Sequence, residues 1–230
     1  MELPTKKTKE KSDINKFSWL IYGNPGVGKS TFCSYFEDAL IIDTQAGHNH
    51  IESCSTKIGS WEDFQGICAE LSKQSKEGKL AYKTIVLDTV DDLYAFCFSH
   101  VCKREGMAHP SDEGYGKGWS LISDEFKRAI FFLMNIANVV FVSHADLKEI
   151  KTRLITLNKI VPSLSGASGK FITAIVDIIG YVCFDPEDPQ KRVVMTQASD
   201  SIEAKDRSGL LPEKIEFNYE TVSKILKGDK

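Results

Sequence analysis

Apolar residues follow two alternating rhythms along this chain. Short unbroken runs, "WLIY" at 19–22, "ALII" at 39–42, "TIVL" at 84–87 and "NVVFV" at 138–142, read as strands buried on both faces. Between them lie segments in which apolar positions recur every three or four residues, as on one face of a helix. These predict helices over residues 30–39, 61–78, 91–106 and 119–137. The helix at 61 opens with Ser60 and Asp63 at capping-box spacing, followed by Trp61, Phe64, Ile67, Cys68 and Leu71 on one stripe. Residues 107–118 carry Pro and Gly and read as a loop. The alternating run "KEIKTRLITLNKIVPSL" at 148–164 fits a β-hairpin, "SGASGK" a connection, residues 171–180 a helix, and the remainder is β-rich. Strands alternating with helices predict an α/β domain with a mostly parallel central sheet, helices on its faces and a β-rich C-terminal extension. That domain spans residues 16–230, after a Lys-rich, apolar-poor segment 1–15 expected to be flexible.

Bulk composition narrows the class without choosing a function. The chain has 230 residues, 42% hydrophobic and 27% charged, with a formal net charge of -3. A nucleic-acid surface, if present, must therefore be local. Six cysteines at irregular spacing form no C-x-x-C pair and read as small apolar thiols in a reduced cytosol. No apolar run reaches the roughly 20 residues that span a bilayer, and the N-terminus has no apolar signal core, so a cytoplasmic location is expected.

The chemistry begins at "GNPGVGKST", which follows the first strand. Gly23 to Ser30 match G-x-x-x-x-G-K-[ST] at every fixed position, with strand before and helix after. Glycines let backbone N–H groups converge on phosphate oxygens, and the following helix start favours anions. Asn24, Pro25, Gly26, Val27, Gly28, Lys29, Ser30 and Thr31 are the expected nucleotide-binding residues. Lys29 would reach the β- and γ-phosphates, and Ser30 would offer its hydroxyl to Mg²⁺. The acidic partner for that metal is Asp88, at the end of "TIVL", with Asp43 after "ALII" as runner-up. Asn158-Lys159-Ile160-Val161 lacks the Asp of an N-K-x-D guanine-reading motif, so ATP is favoured over GTP. A small-molecule kinase would want an arginine-rich lid, and arginine occurs only at 104, 128, 153, 192 and 207.

Beyond the P-loop, several stretches resemble RecA-like ATPases. "IIDTQAG" resembles their second strand, where Asp-x-Glu carries the water-activating glutamate. "VVFVSHAD" resembles the strand whose polar end senses the γ-phosphate, with His144 at the Gln/His position. "EAKDRSG" resembles the Lys-x-Arg finger that reaches a neighbouring subunit's site, with Lys205 and Arg207 as its cations. With "GYGKGW" and "SGK" before "IVDIIG", residues 17–212 are similar to phage-encoded RecA-like P-loop ATP-binding proteins, some of which anneal single strands during recombination. The resemblance implies a RecA-like P-loop NTPase fold, ATP and Mg²⁺ as cofactors, and Lys29, Gln45, Asp88, His144, Lys205 and Arg207 as catalytic residues. It also implies a ring or filament of identical subunits on single-stranded DNA, and a single-strand DNA-binding protein as a possible partner. In this register Gln45 stands in place of the glutamate. A glutamine orients water but takes no proton, so slow hydrolysis is expected, unless Glu52 or Asp91 supplies the carboxylate.

Two segments fall where such proteins place DNA loops. Residues 103–119 combine Lys103, Arg104 and Lys117 with Tyr115 and Trp119, a pairing suited to stacked bases. Residues 145–170 carry Lys148, Lys151, Arg153, Lys159 and Lys170 against Asp146 and Glu149, with the cations interleaved among apolar residues as on one exposed hairpin face. The DNA-binding set is thus Lys117, Lys148, Lys151, Arg153, Lys159 and Lys170. Two other classes compete: a P-loop phosphotransferase on a small acceptor, and a non-hydrolysing protein whose nucleotide governs assembly.

Overall fold

The computed structural model of the chain describes residues 13–45, 51–112, 114–151, 156–164 and 166–228. The segment 1–15 therefore lies mostly outside the described residues, but its last three are ordered. Asp13 caps a short 3₁₀ turn, Ile14–Lys16, and Ile14 is fully buried. In chain order the elements are β1 (Trp19–Gly23), α1 (Lys29–Ser34), β2 (Ala39–Asp43), β3 (Cys54–Lys57), α2 (Trp61–Lys76), β4 (Thr84–Asp88), α3 (Val90–Glu105) and α4 (Lys117–Ile136). There follow β5 (Asn138–Lys151), β6 (Thr156–Pro162), α5 (Gly166–Ile175), β7 (Ile178–Phe184), β8 (Arg192–Met195), β9 (Lys205–Asp206), β10 (Lys214–Glu216) and α6 (Tyr219–Lys227).

Among the described residues the sheet has ten strands, in the order β10-β8-β7-β1-β5-β4-β2-β3, with β6 paired to β5 and β9 to β7. Its centre, β7-β1-β5-β4-β2-β3, is parallel, and its C-terminal additions pair antiparallel. This is the α/β architecture expected from the sequence, a mostly parallel central sheet flanked by helices. β1 and β4 are buried at every position, and successive residues still divide between two cores. Leu20 and Tyr22 enter the core beneath α2, α3, α4 and α5, whereas Trp19 and Ile21 enter the core shared by α1 and α6. α2 starts as expected: Ser60 Oγ accepts the Asp63 N–H at 3.1 Å.

Five features depart from the sequence reading. The helix expected over 30–39 ends at Ser34, and Ala39 opens β2 instead. The C-terminal stretch read as β-rich ends in helix α6, whose first turn is capped by Asn218. β5 does not stop near Asp146 but runs on to Lys151, so one strand supplies both the sheet centre and the first arm of the hairpin. The helix expected over 171–180 begins earlier and ends at Ile175, and Ile178–Gly180 open strand β7, where Ile178 and Ile179 pair with β1 on one side and β9 on the other. A short apolar run fits either period, and here the pairing to both neighbours decides. β3 was not anticipated, because "CSTK" is a mostly exposed edge strand with no apolar signal. The cysteines are all free; Cys33, Cys97 and Cys102 are buried as expected, while Cys54 is exposed.

The early start of α5 depends on Gly169. A Cβ there would lie 1.9 Å from the Leu164 carbonyl oxygen. Gly169→Ala is expected to lower stability by about 1–3 kcal/mol, because backbone rather than a pliable side chain must move. Chemical denaturation with an unchanged m-value would measure it, and a midpoint equal to wild type would refute the tight approach.

Candidate nucleotide-binding site

The loop between β1 and α1 is shaped by its glycines. Gly26 and Gly28 have φ of 81° and 90°, the left-handed region that other residues rarely adopt. Successive N–H groups can then turn toward one anion. The helix that follows has only six residues, so the loop backbone supplies the cradle and the helix adds little. Val27 is buried and pins the loop, while Asn24, Pro25, Gly26 and Thr31 face solvent. Lys29 is buried, and its ammonium donates to the carbonyls of Gly23 at 2.8 Å and Asn24 at 3.0 Å. Burial pulls its pKa down, opposed by the negative charges of Asp88 and Asp91.

Ser30 and Asp88 meet as the sequence predicted: Ser30 Oγ donates to Asp88 Oδ2 at 2.5 Å. β1 and β4 are separated in the sheet by β5, so the two groups converge above its C-terminal end. A hydroxyl and a carboxylate side by side suit a hard divalent cation that takes its other oxygens from phosphate and water. Among the described residues no group of three or more His, Cys, Asp or Glu side chains forms a cage of its own. Asp43 pairs with Asp88 across β2 and β4 but is directed elsewhere, accepting the Gln45 N–H at 2.9 Å.

His144 lies opposite Gly23 in the β1–β5 register, at the mouth of the loop. Its Nε2 is 3.1 Å from Gln45 Nε2, so the two residues drawn from separate strands do meet. Gln45 Nε2 also donates to Asp92 Oδ2 at 2.6 Å. The same oxygen accepts from Thr89 Oγ1 at 2.9 Å and Thr44 Oγ1 at 3.2 Å. Asp92 thus anchors Gln45, and the sequence reading passed over it. Its signal was the Asp91-Asp92 pair after Asp88, which reads as ordinary acidic residues at a helix start.

Asp91, offered above as a substitute base, has a different task. It accepts the His144 N–H at 3.3 Å and the Ser143 hydroxyl at 3.0 Å, and its Oδ1 also accepts the hydroxyl of Ser163. Ser163 N–H donates in turn to the His144 carbonyl at 2.9 Å. Both roots of the β5–β6 hairpin are therefore clasped to the first turn of α3. Glu52 is exposed ahead of β3.

The expected DNA residues are only partly brought together. Lys148 and Lys170 line one groove of about 500 Å³ between the hairpin and α5, shared with Asp146, Glu149 and Glu203. Lys148 stands opposite Lys159 on one face of the hairpin, but Lys159 is held by Glu203 at 2.6 Å. Lys151 belongs to the other face and pairs with Glu149 at 3.1 Å. The single cationic face read from the sequence is thus split, because strand alternation sends even and odd positions to opposite sides. Arg153 lies outside the described residues. Lys117 opens α4, away from that groove, and Trp119 packs edge-on against Phe98 and His109 while remaining 44% exposed.

Lys205 and Arg207 lie at the opposite end of the sheet from the loop. β9 pairs with Ile178 and Ile179, at the start of β7, whereas Gly23 pairs with Val182 near its end. That separates them by on the order of 10 Å along the strand alone. Lys205 Nζ donates to the Thr173 carbonyl at 2.5 Å, and Arg207 Nη2 to that of Ala174 at 2.6 Å, so both cap the end of α5.

With this geometry, a family comparison is decisive. The profile of a family described as an AAA domain, AAA_24, matches residues 15–208. The chain belongs to this AAA-domain family. It is a P-loop NTPase domain. The chain is also 28% identical over 128 residues to the SPbeta prophage-derived uncharacterized protein YorG of Bacillus subtilis (strain 168). That match covers 54% of this chain and 40% of the relative, so the chain spans well under half of the relative's length. Among solved structures it is similar to the flagellar accessory protein FlaH of Methanocaldococcus jannaschii, at 11% identity and a TM-score of 0.39 over 79% of this chain and 77% of that one. Among the described residues no helix is long and apolar enough to cross a membrane.

In an AAA-domain site of this kind, Gln45 is the residue whose exchange is most informative. Gln45→Glu combined with Asp92→Asn, which keeps a donor facing the new carboxylate, places a proton acceptor beside His144, and phosphate release is expected to rise by about 10²-fold. An unchanged rate in a phosphate-release assay would assign water activation to another residue.

Proposed function

We propose that this AAA-domain protein is a phage-type, ATP- and Mg²⁺-dependent, RecA-like protein that assembles on single-stranded DNA and promotes annealing or recombination. A bound Mg²⁺ would supply charge neutralisation for the nucleotide's phosphates. Lys29 and the loop N–H groups bind the phosphates, Ser30 and Asp88 hold the cation, and Gln45 and His144 orient water at the γ-phosphate. Gln45 cannot accept that water's proton, so hydrolysis to ADP and phosphate is slow, and bound ATP acts chiefly on conformation.

The observation that carries this reading is the continuity of β5. The strand that sets His144 beside Gly23 runs unbroken into the hairpin, and Asp91 ties both hairpin roots to the same helix turn. A change at the γ-phosphate is thereby linked to the hairpin and its groove, as an ordered segment is linked to nucleotide state in other switches. The prophage source of YorG supports the phage context. Lys205 and Arg207, remote from their own loop, suit a head-to-tail assembly in which they serve the next subunit's ATP.

The test is fluorescence anisotropy with labelled single-stranded oligonucleotide at several salt concentrations, with and without a non-hydrolysable ATP analogue. Binding that strengthens with nucleotide and falls with salt is expected, and Lys148→Glu should weaken it. Absence of binding at low salt under either condition would overturn the DNA reading. Gln45 and its Asp92 anchor favour one second reading: a protein whose ATP governs assembly without appreciable turnover. Light scattering that shows ATP-dependent assembly indifferent to DNA would establish that reading instead.

A further inference from the structure

Arg192 opens β8 at the same end of the sheet as the phosphate loop, two strands from β1. β8 runs antiparallel to β7, so its first residue lies opposite Phe184, just past the point where Val182 pairs with Gly23. From there the side chain crosses to the loop. A Cβ placed on Gly28 would lie 2.5 Å from Arg192 Nη1 and 3.6 Å from its Cζ. The guanidinium therefore rests directly on the loop residue before Lys29. Among the described residues it has no hydrogen-bond or ion-pair partner, whereas Arg104 and Arg128 both pair with Glu125 and Arg207 pairs with Asp177. An exposed guanidinium placed against a phosphate cradle, without a carboxylate of its own, is preorganised for a bidentate anion.

We infer that Arg192 is a nucleotide-binding residue, whose guanidinium engages the α- and β-phosphate oxygens of a nucleotide held in the loop of its own subunit. It comes from the β7 side of the loop, opposite the β5 side that carries His144 and Gln45. It therefore acts on the part of the phosphate chain that ATP and ADP share. This site has two cations in cis, Lys29 from below the loop and Arg192 from beside it. The inference rests on the nucleotide-binding reading above and adds a residue outside the P-loop motif to it.

Isothermal titration of the full chain with Mg²⁺–ADP and with a non-hydrolysable ATP analogue tests it. Arg192→Ala and Arg192→Gln should each weaken both ligands by roughly 10- to 100-fold, and Arg192→Lys should lose less. The side chain is exposed, so circular dichroism and the melting temperature without nucleotide should match wild type. Wild-type binding with both variants within twofold of it would overturn the role of Arg192 and leave the nucleotide site standing. A loss confined to the triphosphate would overturn the assignment to the α- and β-phosphates. Failure of the wild-type chain to bind either ligand would overturn the nucleotide reading itself, and this inference with it.

Discussion

Lys29→Met is expected to weaken ATP and ADP binding by roughly 10²–10⁴-fold while leaving the fold intact. In the free protein the Lys29 ammonium is parked on the carbonyls of Gly23 and Asn24. Asn24 is exposed and its carbonyl can bond water instead, while the buried Gly23 carbonyl loses a donor at a cost on the order of 1–3 kcal/mol, which the fold survives. The bound state differs. There the ammonium exchanges neutral acceptors for phosphate oxygens, and each such charge-assisted bond contributes about 1.5–3 kcal/mol. Two of them give the stated range at about 1.4 kcal/mol per decade. Burial also penalises the charged ammonium before nucleotide arrives, so phosphate binding recovers part of that penalty. Methionine keeps the aliphatic stem and its packing. Calorimetric titration measures the affinity, and a change under tenfold would show that the loop backbone alone holds the phosphates.

Phe126→Ala is the largest expected effect on stability, at about 3–5 kcal/mol. Phe126 is fully buried on α4 and contacts Tyr94 of α3 at 5.2 Å and Trp61 of α2 at 6.4 Å between ring centroids. It joins three helices on the same face of the sheet, and that face rests on Leu87 and Phe141. Truncation leaves a cavity that three separately anchored helices cannot close together. In a domain of this size the melting temperature should fall by roughly 6–20 °C. Phe126→Leu should recover most of it, because volume is largely restored. A fall of under 3 °C for the alanine variant, by calorimetry, would show that the helices repack.

What was legible in the sequence follows the range of the interactions involved. The phosphate loop is local: glycine types, lysine and serine are required within one turn of chain, so Gly23 to Ser30 declared themselves. Asp88 was readable because Ile85, Val86 and Leu87 before it are apolar, which leaves one charged residue at the end of the strand. The meeting of Gln45 with His144 was readable only through family resemblance, since β2 and β5 are brought near each other by β4 between them. Asp92 was hidden among acidic residues that suit any helix start. Lys159 looked like a free cation until Glu203, far along the chain, claimed it. Arg192 gave no signal at all. Its significance comes from an antiparallel strand that returns to the loop end of the sheet. The β7 segment misled because "IVDIIG" satisfies a helix and a strand equally, and only β1 and β9 choose between them.

The opposed positions of the phosphate loop and the Lys205–Arg207 pair carry a consequence for counting. If the pair completes a neighbour's site, a linear run of n subunits always holds one terminal site lacking its cations, and a closed ring holds none. Activity per subunit in a filament then climbs with length as (n−1)/n toward a plateau, whereas a ring reaches the plateau when it closes. Mixing in an Arg207→Ala subunit would silence the site it faces and spare its own. Rate plotted against the fraction of variant would then fall in a straight line, one site for each variant subunit.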